Sequence, residues 1–294
     1  METRFGVVGT AHWATSVHTV GLQRTQGARL VGVWGRDPEK TRDLAAARGV
    51  APFARFEDLL DEVDAVSFAV PPQIQEELAL RALLAGKHVL LEKPIATTAR
   101  AANALAEAAE RADAASVVFF MRRFVPETAE FIARHAGGGW QEAEVEVRSA
   151  TFAPDSPYRN SVWRQVAGSE LWDVGPHVLS ILLPMLGPVT SARALTPEGN
   201  FIRFETTHAG GGRALTRINQ RAEPGDVRNI YRFRGPAGEV AAPEPVLDRP
   251  ANFVRAAAAL VERIGDKSRA HPCDVTFGAQ TVRVLEQVAP WRAA

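Results

Sequence analysis

The sequence predicts an α/β protein in two parts: an N-terminal doubly wound parallel sheet, then a C-terminal α+β domain with a mostly antiparallel open sheet. Three observations carry this. From Phe5 to Met121, apolar runs of strand length alternate with segments able to be helical, the pattern of a parallel sheet covered by helices. After Met121 the alternation stops and strand-like segments follow one another, as in a mainly antiparallel sheet. A chain of 294 residues is also long enough for two cores. The boundary falls at 121, giving domains 1–121 and 122–294.

Phe5–Val8 is a short apolar strand. Gly9-Thr10-Ala11-His12-Trp13-Ala14 follows, then a segment able to be helical through Leu22. A strand, a tight turn of small residues and a helix form a phosphate-cradling unit. Gly9 permits the tight turn, and a small residue at Ala11 lets the backbone approach a pyrophosphate. Ala14 allows helix and strand to pack closely, and the helix N-terminus presents N–H groups to the phosphates. Ala11 and Ala14 stand where glycine is usual. His12 and Trp13 are expected to shape this loop and do no chemistry.

Arg29–Trp34 is the second strand. A dinucleotide fold places an acidic residue at its end to grip the adenosine ribose 2′-hydroxyl. Gly35 stands there, with Arg36 beside it. A missing carboxylate and an adjacent guanidinium suit a 2′-phosphate, so NADP(H) is expected in preference to NAD(H). In the alternative, Asp37 takes the ribose and Arg36 points into solvent.

Pro38 suits the first turn of a helix, and Phe56–Glu62 is a further helical segment. Ala65–Val70 is a strand ending in Pro71-Pro72, and Gln73–Ala85 is a helix closed by Gly86. His88–Leu91 leads into Glu92-Lys93-Pro94, Thr98–Arg111 is an alanine-rich helix, and Ser116–Met121 is the last strand of this part. Gly9, Arg36, Pro71-Pro72 and Lys93 all fall at the carboxyl ends of strands, where a doubly wound sheet binds its ligand. This is a Rossmann arrangement. Lys93 stands out by composition, since the only lysines are Lys40, Lys87, Lys93 and Lys267. An amine in a dry pocket can exchange a proton near neutrality, whereas a guanidinium cannot.

In the second part, Pro126–His135 is a helix ended by Gly137-Gly138-Gly139. Glu142–Phe152 alternates as a strand, and Thr190–Leu195, Phe201–Thr207, Arg213–Asn219 and Asn229–Arg234 are further strands. His208–Gly212 is a hairpin loop, and Asn252–Gly265 and Thr276–Ala289 are closing helices. Between the first two strands lie Trp163-Arg164 and a helix starting near Leu171, on which Asp173 and His177 share a face.

These residues resemble the glucose–fructose oxidoreductase / inositol dehydrogenase (Gfo/Idh/MocA) family. The likeness rests on Gly9–Ala14, Val70-Pro71-Pro72, Met121–Pro126, the Asp-x-Gly-x-His string at 173–177 and, above all, Ala85–Pro94. It implies an enzyme transferring hydride between a nicotinamide cofactor and a carbonyl or hydroxyl carbon of a sugar, cyclitol or related small molecule. It places the loop Gly9–Trp13, Gly35-Arg36, Val70–Pro72, Gln75 and Glu92–Pro94 against the cofactor. Lys93 and His177 become acid/base candidates, with Asp173 fixing the imidazole tautomer. Arg123, Trp163, Arg164 and His177 wall the substrate site. Departures include Val70 where threonine is common, Gln75 where histidine is common, and Ser180 where a second carboxylate is common. The family also implies a homo-oligomer formed through the C-terminal sheet.

Composition bounds the alternatives. With 34 acidic and 34 basic residues, overall charge argues against nucleic-acid or membrane-surface binding. Cys273 is the only cysteine, which fits a reducing cytoplasm. The N-terminus lacks a signal-peptide pattern, and no apolar run spans a bilayer. The histidines lack paired metal-ligand spacing, so no metal is expected. Two rival functions share the fold: a non-catalytic dinucleotide sensor, and a glycoside-cleaving enzyme that recycles its hydride internally.

Overall fold

The computed structural model describes residues 2–266 and 270–291; Lys267 lies outside the described residues. The chain forms two compact units, Met1–Phe124 with Leu247–Gln280, and Val125–Val246 with Thr281–Ala294.

In the first unit, strands β1 (Thr3–Val8), β2 (Ala28–Trp34), β3 (Ala51–Phe53), β4 (Ala65–Phe68), β5 (His88–Leu91) and β6 (Ser116–Val118) form one sheet in the order β3-β2-β1-β4-β5-β6. Every neighbouring pair is parallel. Helices α1 (Thr19–Arg24), α2 (Pro38–Arg48), α3 (Phe56–Glu62), α4 (Pro72–Leu84) and α5 (Ala99–Arg111) provide the connections. The central strands read as apolar runs because helices cover both faces: Phe5, Val7, Val8, Val66, Phe68, Val89, Leu90 and Leu91 are buried. Helix starts follow local chemistry. Asp37 caps α2, accepting from the backbone N–H of Glu39 and Lys40, and the Thr98 hydroxyl caps α5 at the N–H of Ala101. The sequence reading missed β3, whose three residues at the sheet edge carry little periodicity.

In the second unit, α6 (Pro126–His135), β7 (Glu142–Arg148), α7 (Ser169–Leu186), β8 (Val189–Glu198), β9 (Phe201–His208), β10 (Arg213–Asn219), β11 (Arg228–Gly235) and β12 (Gly238–Ala241) follow in turn. The sheet order is β12-β11-β7-β10-β9-β8. Only the β7/β10 pair is parallel, so the sheet is mixed and mostly antiparallel, as expected. β7 buries Ala143, Val145 and Val147 on one side. On the other, Glu146 meets Arg148 at 2.7 Å, Arg217 at 3.1 Å and Arg228 at 3.6 Å. Helix α7 begins at Ser169, two residues before the expected start. Pro176 therefore lies inside the helix, where it cannot donate to the Trp172 carbonyl.

The chain then returns to the first unit with α8 (Arg249–Gly265) and the start of α9 (Val275–Val288). A contiguous split at 121/122 does not describe these units. Phe253 of α8 is fully buried, its ring 4.3 Å from that of His18 and 5.1 Å from that of Phe119. The Cys273 carbonyl accepts from the Val118 N–H at 2.7 Å, and Ser116 Oγ accepts from the Val275 N–H at 3.1 Å. The sequence shows a closing helix over Asn252–Gly265 but not which core it fills. Among the described residues, no helix is long and apolar enough to cross a membrane.

Phe253→Ala removes the aromatic anchor of this returning segment. It should cost about 3–5 kcal/mol, read as a lowered urea midpoint. A partly buried histidine sets a second expectation. Burial, with help from the Arg123 charge, pushes His271 down to about 4. The unfolded chain binds that proton more tightly, so the stability involved is full above about pH 6.5 and lost as pH falls toward 4. A shift of that size amounts to about 3 kcal/mol. In His271→Gln, the fall of Tm between pH 6.5 and 4.5 should be smaller than in the unsubstituted protein.

Candidate functional site

In the first unit, the candidate residues gather at the carboxyl ends of β1, β2, β4 and β5. Gly9 follows β1 with φ +124°, and a Cβ there would stand 2.4 Å from the Ala69 carbonyl oxygen. Only glycine fits that approach. Ala11 and His12 are exposed, Thr10 and Trp13 partly so, and the helical turn opens at His12. A tight loop feeding a helix N-terminus is a place for phosphate, and these residues fit a dinucleotide. The helix runs as a π-helix over Ala14–His18 before continuing as α1.

That opening turn is tied to the corner after β5. The Trp13 indole Nε1 donates to Glu92 Oε1, and His18 Nε2 lies 3.3 Å from the same oxygen. His18 Nδ1 lies 2.8 Å from Ser67 Oγ. Burial lowers the pKa of His18, outweighing the Glu92 hydrogen bond that raises it. A neutral imidazole has one N–H, and an ionised carboxylate only accepts. Nε2–H therefore donates to Glu92 and Nδ1 accepts from the Ser67 hydroxyl. The other carboxylate oxygen, Oε2, accepts from the Lys93 N–H at 3.2 Å.

Gln75 holds the corner from the other side. Its Nε2 donates to the carbonyls of Glu92 at 2.7 Å and Pro94 at 3.1 Å, and its Oε1 accepts from the Glu92 N–H at 2.8 Å. Gln75 is fully buried. Expected against the cofactor, it is instead a clamp on the backbone around the cis Lys93–Pro94 peptide. Pro94 and Pro72 are buried, Pro71 is exposed, and Val70, Glu92 and Lys93 are partly exposed.

At the end of β2, a Cβ on Gly35 would press to 2.7 Å from Thr10 Cγ2. This position is small because the phosphate loop rests on it. Arg36 is exposed, with no ion-pair partner among the described residues. Asp37 is committed to capping α2, and the Lys40 backbone N–H leads in holding its carboxyl below the ordinary value.

Arg123 also belongs to the first unit, in a short 3-10 turn over Met121–Phe124, its guanidinium 5.7 Å from the centre of the Phe277 ring.

The second unit carries Trp163, Arg164, Asp173 and His177. Asp173 lies in the second turn of α7 and is buried. Arg164 grips it with two bonds, Nε to Oδ2 at 2.9 Å and Nη2 to Oδ1 at 3.2 Å. Gln220 Nε2 adds a third at 2.7 Å. The Arg164 guanidinium lies 4.2 Å from the Trp163 ring centre and 4.9 Å from that of Tyr158. His177 is partly exposed one turn further along α7. The Ser180 hydroxyl is buried and donates to the His177 carbonyl at 2.7 Å. It supplies no substitute for a carboxylate at that position.

Sequence reasoning missed His18, Ser67 and Gln220. The sequence shows of His18 only that it lacks paired metal-ligand spacing, and nothing pairs it with Glu92 across 74 positions. Among the described residues, no cluster of three or more His, Cys, Asp or Glu could hold a metal ion.

Comparison with known proteins agrees with this geometry. Residues 3–120 match the family described as oxidoreductase family, NAD-binding Rossmann fold. The chain is 28% identical over 205 residues to oxidoreductase P35 of Formosa agariphila, covering 66% of this chain and 64% of that protein. It is 37% identical over 131 residues to inositol 2-dehydrogenase of Corynebacterium glutamicum, covering 42% of this chain and 38% of the relative. The chain thus spans less than two thirds of the length of these curated relatives. Its fold is similar to that of GenD2 from gentamicin A biosynthesis, solved in complex with NAD, at a TM-score of 0.81 and 21% identity. That likeness covers 98% of this chain and 93% of the other. The part of the chain that matches the Gfo/Idh/MocA oxidoreductase family model, residues 3–120, is the part that holds the Rossmann sheet and its glycine turn.

Proposed function

We propose that this protein is an oxidoreductase that transfers hydride between NADP(H) and a carbonyl or hydroxyl carbon of a sugar, cyclitol or related small molecule. The observation that carries the reading is Lys93, placed at the carboxyl end of β5 on backbone that Gln75 and Glu92 brace. A bound nicotinamide supplies or accepts the hydride at its C4. Gly9 and the following turn hold the pyrophosphate. Lys93 stabilises charge on the reacting oxygen or passes it a proton, and His177 is the second acid/base candidate. Asp173, gripped by Arg164 and Gln220, anchors the Trp163-Arg164 segment that walls the substrate.

The preference for NADP(H) rests on the end of β2. Gly35 has no carboxylate to repel a 2′-phosphate, Asp37 is occupied by its cap, and Arg36 is exposed without a partner among the described residues. Homo-oligomer formation through the second sheet is part of the reading, supported by the charged face around Glu146. So is a cytoplasmic location, supported by the single, buried cysteine.

Two measurements test this. NADPH should bind more tightly than NADH in a fluorescence titration, and Arg36→Ala should weaken NADPH about tenfold or more while NADH changes little. Equal affinities in the unsubstituted protein would sink the NADP(H) assignment. In a screen of keto-sugars and polyols, Lys93→Ala should lower kcat by about two to four orders of magnitude with cofactor affinity kept. Undiminished turnover in that variant removes Lys93 from the chemistry.

A further inference from the structure

Beside the Asp173 cluster, the second unit holds a separate polar pocket of about 310 Å³, lined by Phe152, Arg159, Gln165 and Arg221. No carboxylate lines it. Neither guanidinium has an ion-pair or hydrogen-bond partner among the described residues. This contrasts with the sheet face of the same unit, where Arg148, Arg217 and Arg228 share Glu146.

Both arginines are exposed, and their backbones are tied in place. The Arg159 carbonyl accepts from Gln165 Nε2 at 2.9 Å. The Arg221 N–H donates to Asn219 Oδ1 at 2.8 Å, and Arg221 pairs as an isolated bridge with Ala150. Its guanidinium lies 4.4 Å from the centre of the Phe152 ring. The Phe152 ring orients the Arg221 guanidinium, and the N–H donors of both arginines are left without a protein partner among the described residues. Two guanidiniums without a carboxylate suit an oxyanion, which each can take with paired charge-assisted bonds.

The pocket is continuous in sequence with the candidate site. Gln165 follows Arg164, and Arg221 follows Gln220, so each wall is the neighbour of a residue that holds Asp173. We infer that Arg159 and Arg221 form a subsite for an anionic group, a phosphate or a carboxylate, carried by the substrate. The inference rests on the substrate lying beside Asp173 and His177. It narrows the substrate class from neutral polyols to acidic or phosphorylated ones.

Calorimetric titration of the full chain, with and without NADPH, tests this with glucose 6-phosphate, glucuronate and glucose as probes. At least one of the two anionic sugars should bind tenfold or more tighter than glucose, and which one does so separates phosphate from carboxylate. The double variant Arg159→Gln/Arg221→Gln should lose that preference while NADPH affinity and Tm stay unchanged. Arg159→Lys/Arg221→Lys, which keeps the charges, should retain part of it. Anionic sugars no tighter than glucose, or a preference that survives in the double glutamine variant, would overturn the subsite. A preserved binding preference with no hydride transfer would instead count against the oxidoreductase reading alone.

Discussion

The first unit depends on how one nearly buried carboxylate, that of Glu92, is satisfied. An acid withdrawn from water is costly unless hydrogen bonds replace its hydration. Here the replacements come from three parts of the chain: the Trp13 indole, the neutral His18 imidazole and the Lys93 backbone. Each donor belongs to something that must be positioned. Trp13 belongs to the phosphate loop, His18 to the helix behind it, and Lys93 to the candidate chemistry. Satisfying the acid therefore fixes loop and corner with respect to each other. The π-helical turn over Ala14–His18 lies between the two side-chain donors on this stretch.

The second unit solves a similar problem differently. Asp173 is buried with a charged partner, Arg164, and breaking such a pair from one side leaves the other charge stranded. The guanidinium also lies over two aromatic rings, so the loop carrying Trp163 and Tyr158 is held by the same residue that neutralises the acid. On the far side of the sheet, Glu146 serves three arginines from three strands. An arginine-rich chain can fold because its guanidiniums share acids.

Much of this was legible in the sequence, and the reason differs between elements. Strands such as β4 and β5 are apolar runs that periodicity exposes, and Gly9 announces itself because a tight turn after a strand demands it. Gly35 carries two messages, an absent carboxylate and a resting place for Thr10, and only the first shows without coordinates. Gln75 was assigned to the cofactor through resemblance, whereas its amide is spent on backbone groups twenty positions away or nearer. His18, Ser67 and Gln220 were illegible because their partners are distant in sequence and their residue types are ordinary. The division into units was hidden for the same reason: the sequence shows a closing helix over Asn252–Gly265 but not which core receives it.

The return of Leu247–Gln280 to the first unit has a consequence for how the protein is made. Translation completes residue 124 long before residue 247, and the intervening stretch of roughly 120 residues takes on the order of 6–25 s at ordinary elongation speeds. During that interval the pocket around His18 and Phe119 lacks the Phe253 side chain that fills it. The nascent first unit carries an open apolar cleft while the strands of the second sheet, made before Leu247, emerge. In this chain the nucleotide fold is begun before the second sheet is made and completed only after it.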